Sequence, residues 1–263
     1  MEKDFQFKKK FGQNFLKDDS IPKKIVSYSD ISEDTLVIEI GPGAGALTKE
    51  LVKRAKMVLA YEIDTSLEDV LREKFGDTSN VDFIFDDFLN RDVSKDIEKY
   101  SYKNLYVVAN LPYYITTPII VKLIEENILI DKIVVMVQKE VGDRFSALPG
   151  NREYGSLTVF LNYFFDVKKL FLVGKNCFIP KPNVDSIVVS FNRKNELLDL
   201  KDKEKFFKLV RDSFQYKRKT LRNNLKNYDL DKVSLTLKKY NLDLQVRAEE
   251  LPLEVFVDIS NNL

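Results

Sequence analysis

The sequence contains no histidine and only one cysteine, Cys177, in 263 residues. The lack of imidazole excludes Ser-His-Asp and Cys-His catalysis, together with zinc sites that need a histidine ligand. A single cysteine excludes an internal disulfide and cysteine-rich zinc modules, so we expect a reducing, cytoplasmic environment and no metal. Any reaction that this chain catalyses must therefore use neither an imidazole nor a thiolate-bound metal.

Long apolar segments are lacking as well. No run of about 18 apolar residues occurs, and the first ten residues lack the apolar core of a signal peptide, so we expect no membrane span and no leader. Basic residues are concentrated near the C-terminus, where residues 215–226 contain five basic and no acidic side chains. This asymmetry favours a polyanionic partner, although a solvated helix face has the same pattern.

Apolar runs alternate with helical patterns through the first half of the chain. The runs that read as buried strands are 36–40, 57–61, 81–85, 105–109 and 132–137. The intervening segments with helical spacing are 47–56, 66–75 and 117–126. This alternation predicts an α/β fold with a parallel sheet covered on both faces. Residues 156–165 and 186–191 are predicted to add two further strands, which can be antiparallel.

The pattern changes near residue 192. Residues 204–227 and 231–240 have helical spacing, which predicts a first domain over 1–191 and a small helical C-terminal domain over 192–263. Within the first of these segments, Arg218, Arg222 and Lys226 recur at every fourth position and predict one basic helical stripe beside Lys217. Such a stripe suits contact with RNA phosphates; a solvated face is the alternative.

A glycine-rich segment joins the first predicted strand to the first helix. Gly41, Gly43 and Gly45 follow the spacing G-x-G-x-G, which permits a tight turn and close approach of a ligand to the backbone. Glu62 follows the second strand and Asp87 the third, where their carboxylates could accept hydrogen bonds from ribose hydroxyls and an adenine amino group. These features predict a site for an adenosine-bearing cofactor.

The sequence Asn110-Leu111-Pro112-Tyr113 ends the fourth predicted strand. Asn110 offers an amide oxygen, and Pro112 fixes the backbone so that the Leu111 carbonyl has a defined direction. Tyr113 supplies a flat face for stacking. Two acceptors beside an aromatic ring suit a planar amine on a nucleobase; an ordinary turn at the end of a strand is the alternative.

These motifs resemble the ribosomal RNA adenine-N6 dimethyltransferase family over most of the chain, and its small-subunit members in particular. The resemblance extends to Phe11-Gly-Gln-Asn-Phe-Leu16, to residues 138–144, where Gly142 replaces an expected small residue such as alanine, and to residues 154–157, 178–186 and 217–225. It implies a Rossmann-like class I methyltransferase sheet and S-adenosylmethionine as the cofactor. The residues that the resemblance implies for cofactor contact are Asn14, Leu16, Gly41, Glu62, Asp87 and Asn110.

The resemblance also implies the reaction. Asn110, Leu111, Tyr113 and Phe178 would form the catalytic site, with Tyr113 and Phe178 on the two faces of an extruded adenine. The expected substrate is a pair of adjacent adenosines in a 3′-terminal hairpin loop of 16S rRNA, methylated in an immature small subunit by a monomeric enzyme. Two alternatives are a 23S rRNA adenine-N6 methyltransferase that confers macrolide resistance and a non-catalytic RNA-binding assembly factor.

Overall fold

The structure is a computed structural model that describes residues 15–126 and 128–263. Its strands are β1 (Phe15–Leu16), β2 (Thr35–Ile40), β3 (Met57–Tyr61), β4 (Val81–Ile84), β5 (Asn104–Asn110), β6 (Lys132–Gln138), β7 (Phe165–Val173), β8 (Phe178–Ile179) and β9 (Ser186–Arg193). Its helices are α1 (Ser20–Ser29), α2 (Thr48–Leu51), α3 (Glu68–Phe75), α4 (Val93–Ile97), α5 (Thr116–Glu125), α6 (Lys139–Phe145), α7 (Ser156–Phe164), α8 (Lys203–Ser213), α9 (Leu221–Asn224), α10 (Leu230–Lys238) and α11 (Leu253–Asn262). No helix among these described residues is long and apolar enough to cross a membrane.

Seven strands form one sheet in the order β4-β3-β2-β5-β6-β9-β7, and β1 pairs with β8 in a separate ribbon. The pairs from β4 through β6 are parallel, whereas β9 runs antiparallel to β6. All six residues of β2 are buried, as expected for a strand covered on both faces. The predicted α/β sheet with an antiparallel strand beyond its parallel part is therefore confirmed.

The predicted strand over 156–165 is wrong, because residues 156–164 form the helix α7 and β7 begins only at Phe165. Six of the nine residues of α7 are buried, which removes the one-sided apolar spacing that normally marks a helix in a sequence. Its valine, tyrosine and phenylalanine residues favour strands by propensity. Helical packing of a segment buried on most of its surface has overridden that local preference.

The continuous helix predicted over 204–227 is also wrong, because α8 ends at Ser213. The buried amide of Asn224 donates hydrogen bonds to the carbonyl oxygens of Ser213 at 2.7 Å and Tyr216 at 3.3 Å, and accepts one from the Tyr216 backbone N–H at 3.3 Å. These bonds replace partners that the backbone would have had in a longer helix. The next α-helical residues after Ser213 are those of α9, which is a single turn.

The chain divides into two compact units. One contains the residues up to Gly142 and Lys168–Arg193, and the other contains Asp143–Val167 and Lys194–Leu263. The sequence-derived boundary between residues 191 and 192 lies two residues from the second division, but it did not assign Asp143–Val167 to the second unit. At Gly142, an added Cβ would collide with Cγ2 of Ile187, so any larger residue there would force neighbouring side chains to shift.

Candidate active site

A cavity opens at the carboxyl ends of the parallel strands in the first unit. It holds about 1020 Å³ of empty space, a figure that includes space open to solvent. Adjacent strands β4, β3, β2 and β5 each deliver part of its wall. The wall residues that follow or end these strands are Asp86, Asp87, Glu62, Gly41 and Asn110.

The glycine loop after β2 lies against the segment that follows β5. Gly41, Gly43 and Gly45 have φ angles of 73°, 57° and 75°, a left-handed conformation that favours glycine. A Cβ added to Gly41 would lie 3.7 Å from Cδ of Pro112. The loop and the Asn110–Tyr113 motif are therefore neighbours at one end of the cavity.

Glu62 is fixed at the cavity wall by the backbone. Its Oε2 accepts a hydrogen bond from the Gly43 N–H at 3.0 Å, and its Oε1 accepts one from the Asp64 N–H at 2.9 Å. Burial raises the pKa of the Glu62 carboxyl, while these two bonds act in the opposite direction. Each oxygen keeps a further lone pair, so the carboxylate can also accept hydrogen bonds from two ribose hydroxyls.

Glu39 also lines the cavity, and the sequence reasoning gave it no role. Its side chain is 1% exposed within β2, and Oε2 accepts a hydrogen bond from Thr48 Oγ1 at 2.7 Å. Burial raises the pKa of Glu39 from 4.5 to about 8, and the nearby Glu62 charge adds to this increase. A lone acid within the apolar run of β2 was the sequence signal that could have identified it.

The backbone after β5 is held in a defined turn. The Leu111 N–H donates to the Met136 carbonyl at 3.1 Å, extending the contact between β5 and β6. The Pro112 carbonyl accepts hydrogen bonds from the Ile115 N–H at 3.2 Å and from Thr116 Oγ1 at 3.0 Å, where α5 begins. This turn fixes the backbone at Leu111 and brings Asn110, Leu111 and Tyr113 to the same cavity.

The ring of Tyr113 is held by its hydroxyl group. The Tyr113 hydroxyl and the buried Ser186 hydroxyl lie 2.6 Å apart, so one donates a hydrogen bond to the other. Burial raises the pKa of the Tyr113 phenol above its ordinary value of 10.0. The pair joins the end of β5 to the start of β9 and restricts the orientation of the Tyr113 ring.

The structure brings most of the sequence-predicted site residues together, with two exceptions. Those that line the cavity are Leu16, Gly41, Glu62, Asp87, Asn110, Leu111 and Tyr113. Asn14 lies outside the described residues. Phe178 is only 1% exposed and belongs to an apolar core cluster that includes Ile25 and Val188, so it does not line the cavity in this geometry, and its role opposite Tyr113 stays a prediction. Phe15, Phe88 and Asp86 line the cavity although the sequence reasoning did not select them.

The four residues predicted to bind RNA lie in the second unit and are all exposed: Lys217, Arg218, Arg222 and Lys226. We call them the basic quartet. They do not form the predicted helical stripe, because residues 217 and 218 lie in the turn after α8, 222 lies in α9 and 226 in the following turn. The predicted charge is present on the surface, but it is carried by a turn, a helix and a second turn.

The sequence matches the family model for ribosomal RNA adenine dimethylase over residues 4–263. The chain belongs to this family. Curated relatives include Ribosomal RNA small subunit methyltransferase A of Bacillus pumilus (strain SAFR-032), 45% identical over 98% of this chain and 92% of that protein. The protein of the same name from Staphylococcus haemolyticus (strain JCSC1435) is 44% identical over 96% of this chain and 88% of that protein.

Two solved structures share the fold of this family member. A dimethyladenosine transferase from Plasmodium falciparum has a TM-score of 0.77 at 26% identity, covering 93% of this chain and 95% of that chain. The 23S rRNA methyltransferase ErmE has a TM-score of 0.74 at 26% identity, covering 95% and 99%. The cofactor of the adenine dimethylase family is S-adenosylmethionine, and the glycine loop with the backbone-held carboxylate of Glu62 fits its nucleoside part.

Proposed function

We propose that this enzyme dimethylates N6 of two adjacent adenosines in a 3′-terminal hairpin loop of 16S rRNA. Family membership and the near-complete match to relatives named as small-subunit methyltransferases support this substrate. The observation that carries the proposal is that the glycine loop, Glu62 and Asp87 share one cavity with Asn110 and Tyr113. A cofactor held by the first group would therefore lie beside a base held by the second.

Asn110 and Leu111 supply acceptors for the target amine. The N6 lone pair of adenine is delocalised into the ring, so the amine is a weak nucleophile. Hydrogen bonds from its two N–H groups to the Asn110 amide oxygen and the Leu111 carbonyl would favour a pyramidal nitrogen and stabilise its developing positive charge. S-adenosylmethionine supplies an electrophilic methyl group when bound. The proton would leave N6 for water after the attack, so the chain needs no general base beforehand, which is consistent with its lack of histidine.

Tyr113 supplies the stacking surface for the base. Its ring lines the cavity, and the hydroxyl bond to Ser186 fixes its orientation. Stacking of a base on an aromatic side chain contributes about 1–3 kcal/mol. Phe178 can form the opposite wall only if it leaves the apolar core, so we assign the stacking role to Tyr113 in the described geometry.

We infer that the basic quartet contacts RNA phosphates, which makes the second unit an RNA-binding element. Four exposed cations in and around the short helix α9 support this inference, because phosphate contacts require charge rather than a continuous helix. Action as a monomer on an immature small subunit in the cytoplasm remains our prediction from the sequence.

The proposed reaction is tested by methyl transfer from tritium-labelled S-adenosylmethionine to three purified substrates: immature small subunits, free 16S rRNA and free 23S rRNA. We expect label on two adjacent adenosines of the small-subunit RNA. Asn110→Ala should lower kcat by about 10²–10³-fold, the usual effect of losing one preorganised polar contact to a developing charge. Asn262→Ala, which removes an exposed amide at the end of α11, is the matched control and should leave activity unchanged.

Two outcomes would contradict this assignment. Label on 23S rRNA alone would support the macrolide-resistance reaction, for which the similarity to ErmE is the favouring observation. RNA binding without methyl transfer to any substrate would support the non-catalytic assembly factor. Full activity of a folded Asn110→Ala protein would refute the role of that amide.

A further inference from the structure

The segment from Asp86 to Arg91, here called the acidic loop, forms one wall of the cavity. Asp86, Asp87 and Phe88 line the cavity, whereas Arg91 is absent from its lining. The loop follows β4 and includes one short 3-10 turn, in which the Asp87 side chain accepts the Leu89 N–H at 3.0 Å. The adjacent carboxylates of Asp86 and Asp87 repel each other, and a nearby cation offsets that repulsion.

Arg91 supplies that cation and ties the loop to α4. Its Nη1 donates to Asp86 Oδ2 at 3.2 Å, while its Nε and Nη2 donate to the two oxygens of Asp96 at 3.1 and 2.5 Å. The guanidinium therefore donates two hydrogen bonds to Asp96, whose side chain is 8% exposed, and one hydrogen bond to Asp86 at the start of the loop. Asp96 also accepts a hydrogen bond from the hydroxyl of Tyr61 at 3.1 Å.

The backbone and the aromatic ring of the loop are held by the same surroundings. Lys122 Nζ donates to the Arg91 carbonyl oxygen at 2.7 Å and lies 5.8 Å from the centre of the Phe88 ring. The Tyr61 ring packs against Phe88 edge to face, with their centres 5.1 Å apart. Tyr61 lines the cavity as well, so one network connects two parts of the cavity wall with α4 and α5.

We propose that Arg91 is a positioning residue that holds the acidic loop in its binding geometry before the cofactor arrives. The inference rests on the proposed function, in which Asp87, beside Asp86 and Phe88 on the cavity wall, helps to hold the cofactor. Arg91 acts through Asp86 and Asp96 and does not touch the ligand. Without its guanidinium, the loop would have to be ordered during binding, and the entropy lost in that step would weaken affinity.

The test is calorimetric binding of S-adenosylhomocysteine, which reports on the cavity without turnover. Arg91→Ala should raise Kd about ten-fold, whereas Arg91→Lys should raise it about three-fold, because lysine keeps the charge but lacks the planar guanidinium that donates two hydrogen bonds to Asp96. Arg247→Ala is the matched control: it removes an exposed arginine of the second unit, whose ion pair with Glu249 is 3.8 Å long, and Kd should change by less than about two-fold.

Steady-state kinetics separate positioning from a general loss of structure. Because Arg91 affects how the cofactor is held, Arg91→Ala should raise KM for S-adenosylmethionine while kcat at saturating cofactor stays near that of the unchanged protein. Asp96→Asn should raise Kd similarly, and the double variant should be little worse than either single variant, since both break the same link.

The outcomes distinguish this inference from the proposed function. Wild-type Kd in Arg91→Ala, or a fall in kcat at unchanged KM, would overturn the positioning role even if small-subunit RNA is methylated. Weaker S-adenosylhomocysteine binding by Arg91→Ala in a protein that methylates no RNA would support the positioning role and contradict the proposed reaction.

Discussion

Replacing Glu39 by glutamine should change how the stability of this enzyme depends on pH. The buried carboxyl has a pKa of about 8 in the folded chain against an ordinary value of 4.5, so between these values the folded chain holds a proton that the unfolded chain releases. Unfolding free energy therefore falls as pH rises across this window. Glutamine keeps the size of the side chain and an oxygen for the Thr48 hydroxyl, but it cannot titrate.

The magnitude follows from the proton retained by the folded chain. Each pH unit within the window changes the unfolding free energy by about 1.4 kcal/mol. Between pH 5 and pH 8, the unfolding free energy of the wild type should therefore fall by on the order of 4 kcal/mol relative to that of Glu39→Gln. Burial also raises the pKa of Glu62, so a decline of the unfolding free energy with rising pH should remain in the Glu39→Gln protein.

Urea unfolding at fixed ionic strength, repeated at each pH unit from 5 to 8, measures this difference. The control Glu33→Gln removes an exposed carboxylate just before β2, and its stability should follow that of wild type at every pH. Curves for wild type and Glu39→Gln that stay parallel across the range would refute the buried, protonated state of Glu39.

Three further predictions follow from the site and its surroundings. Tyr113→Phe should lower the unfolding free energy by about 1–3 kcal/mol, since it leaves the buried Ser186 hydroxyl without its partner, and Ser186→Ala should cost less because the Tyr113 hydroxyl is only half-buried; the double variant should lose less than the sum, and additive losses would contradict a direct link. Phe178→Ala should cost about 3–5 kcal/mol in urea unfolding, as expected for a core aromatic, and a loss below about 1 kcal/mol would indicate an exposed ring. Glutamine at all four positions of the basic quartet should reduce the slope of log K against log salt for RNA binding by about 3, whereas an unchanged slope would show that these side chains do not contact phosphates.

The parallel part of the sheet could be predicted because its strands are short apolar runs that alternate with helical patterns. The five predicted strands from 36–40 to 132–137 match β2 to β6 to within a residue at each end. Gly41, Glu62, Asp87 and Asn110 each follow or end one of these strands, which predicted that they lie at one edge of the sheet. The structure has its cavity at this edge. Strand ends in a parallel sheet are a strong positional signal, because topology alone brings them together.

Other features depended on tertiary contacts that periodicity does not encode. The helix α7 is buried over most of its surface, so its apolar residues show no single face. The end of α8 depends on the amide of Asn224, eleven residues beyond the carbonyl of Ser213 that it caps. Phe178 is buried in a core cluster that also contains residues of the distant helix α1, and one sequence gives no measure of such packing.

The two backbone bonds to Glu62 have a consequence for redesigning cofactor choice. One carboxylate both faces the cavity and joins the glycine loop to the residues after β3, through Gly43 and Asp64. A substitution intended to admit a modified ribose would therefore also release the loop that approaches Pro112. At this position, selectivity for the sugar of the cofactor cannot be altered without also changing the shape of the part of the cavity that holds the target base. An enzyme engineered for a cofactor analogue would therefore need another hydrogen-bond acceptor for the Gly43 N–H.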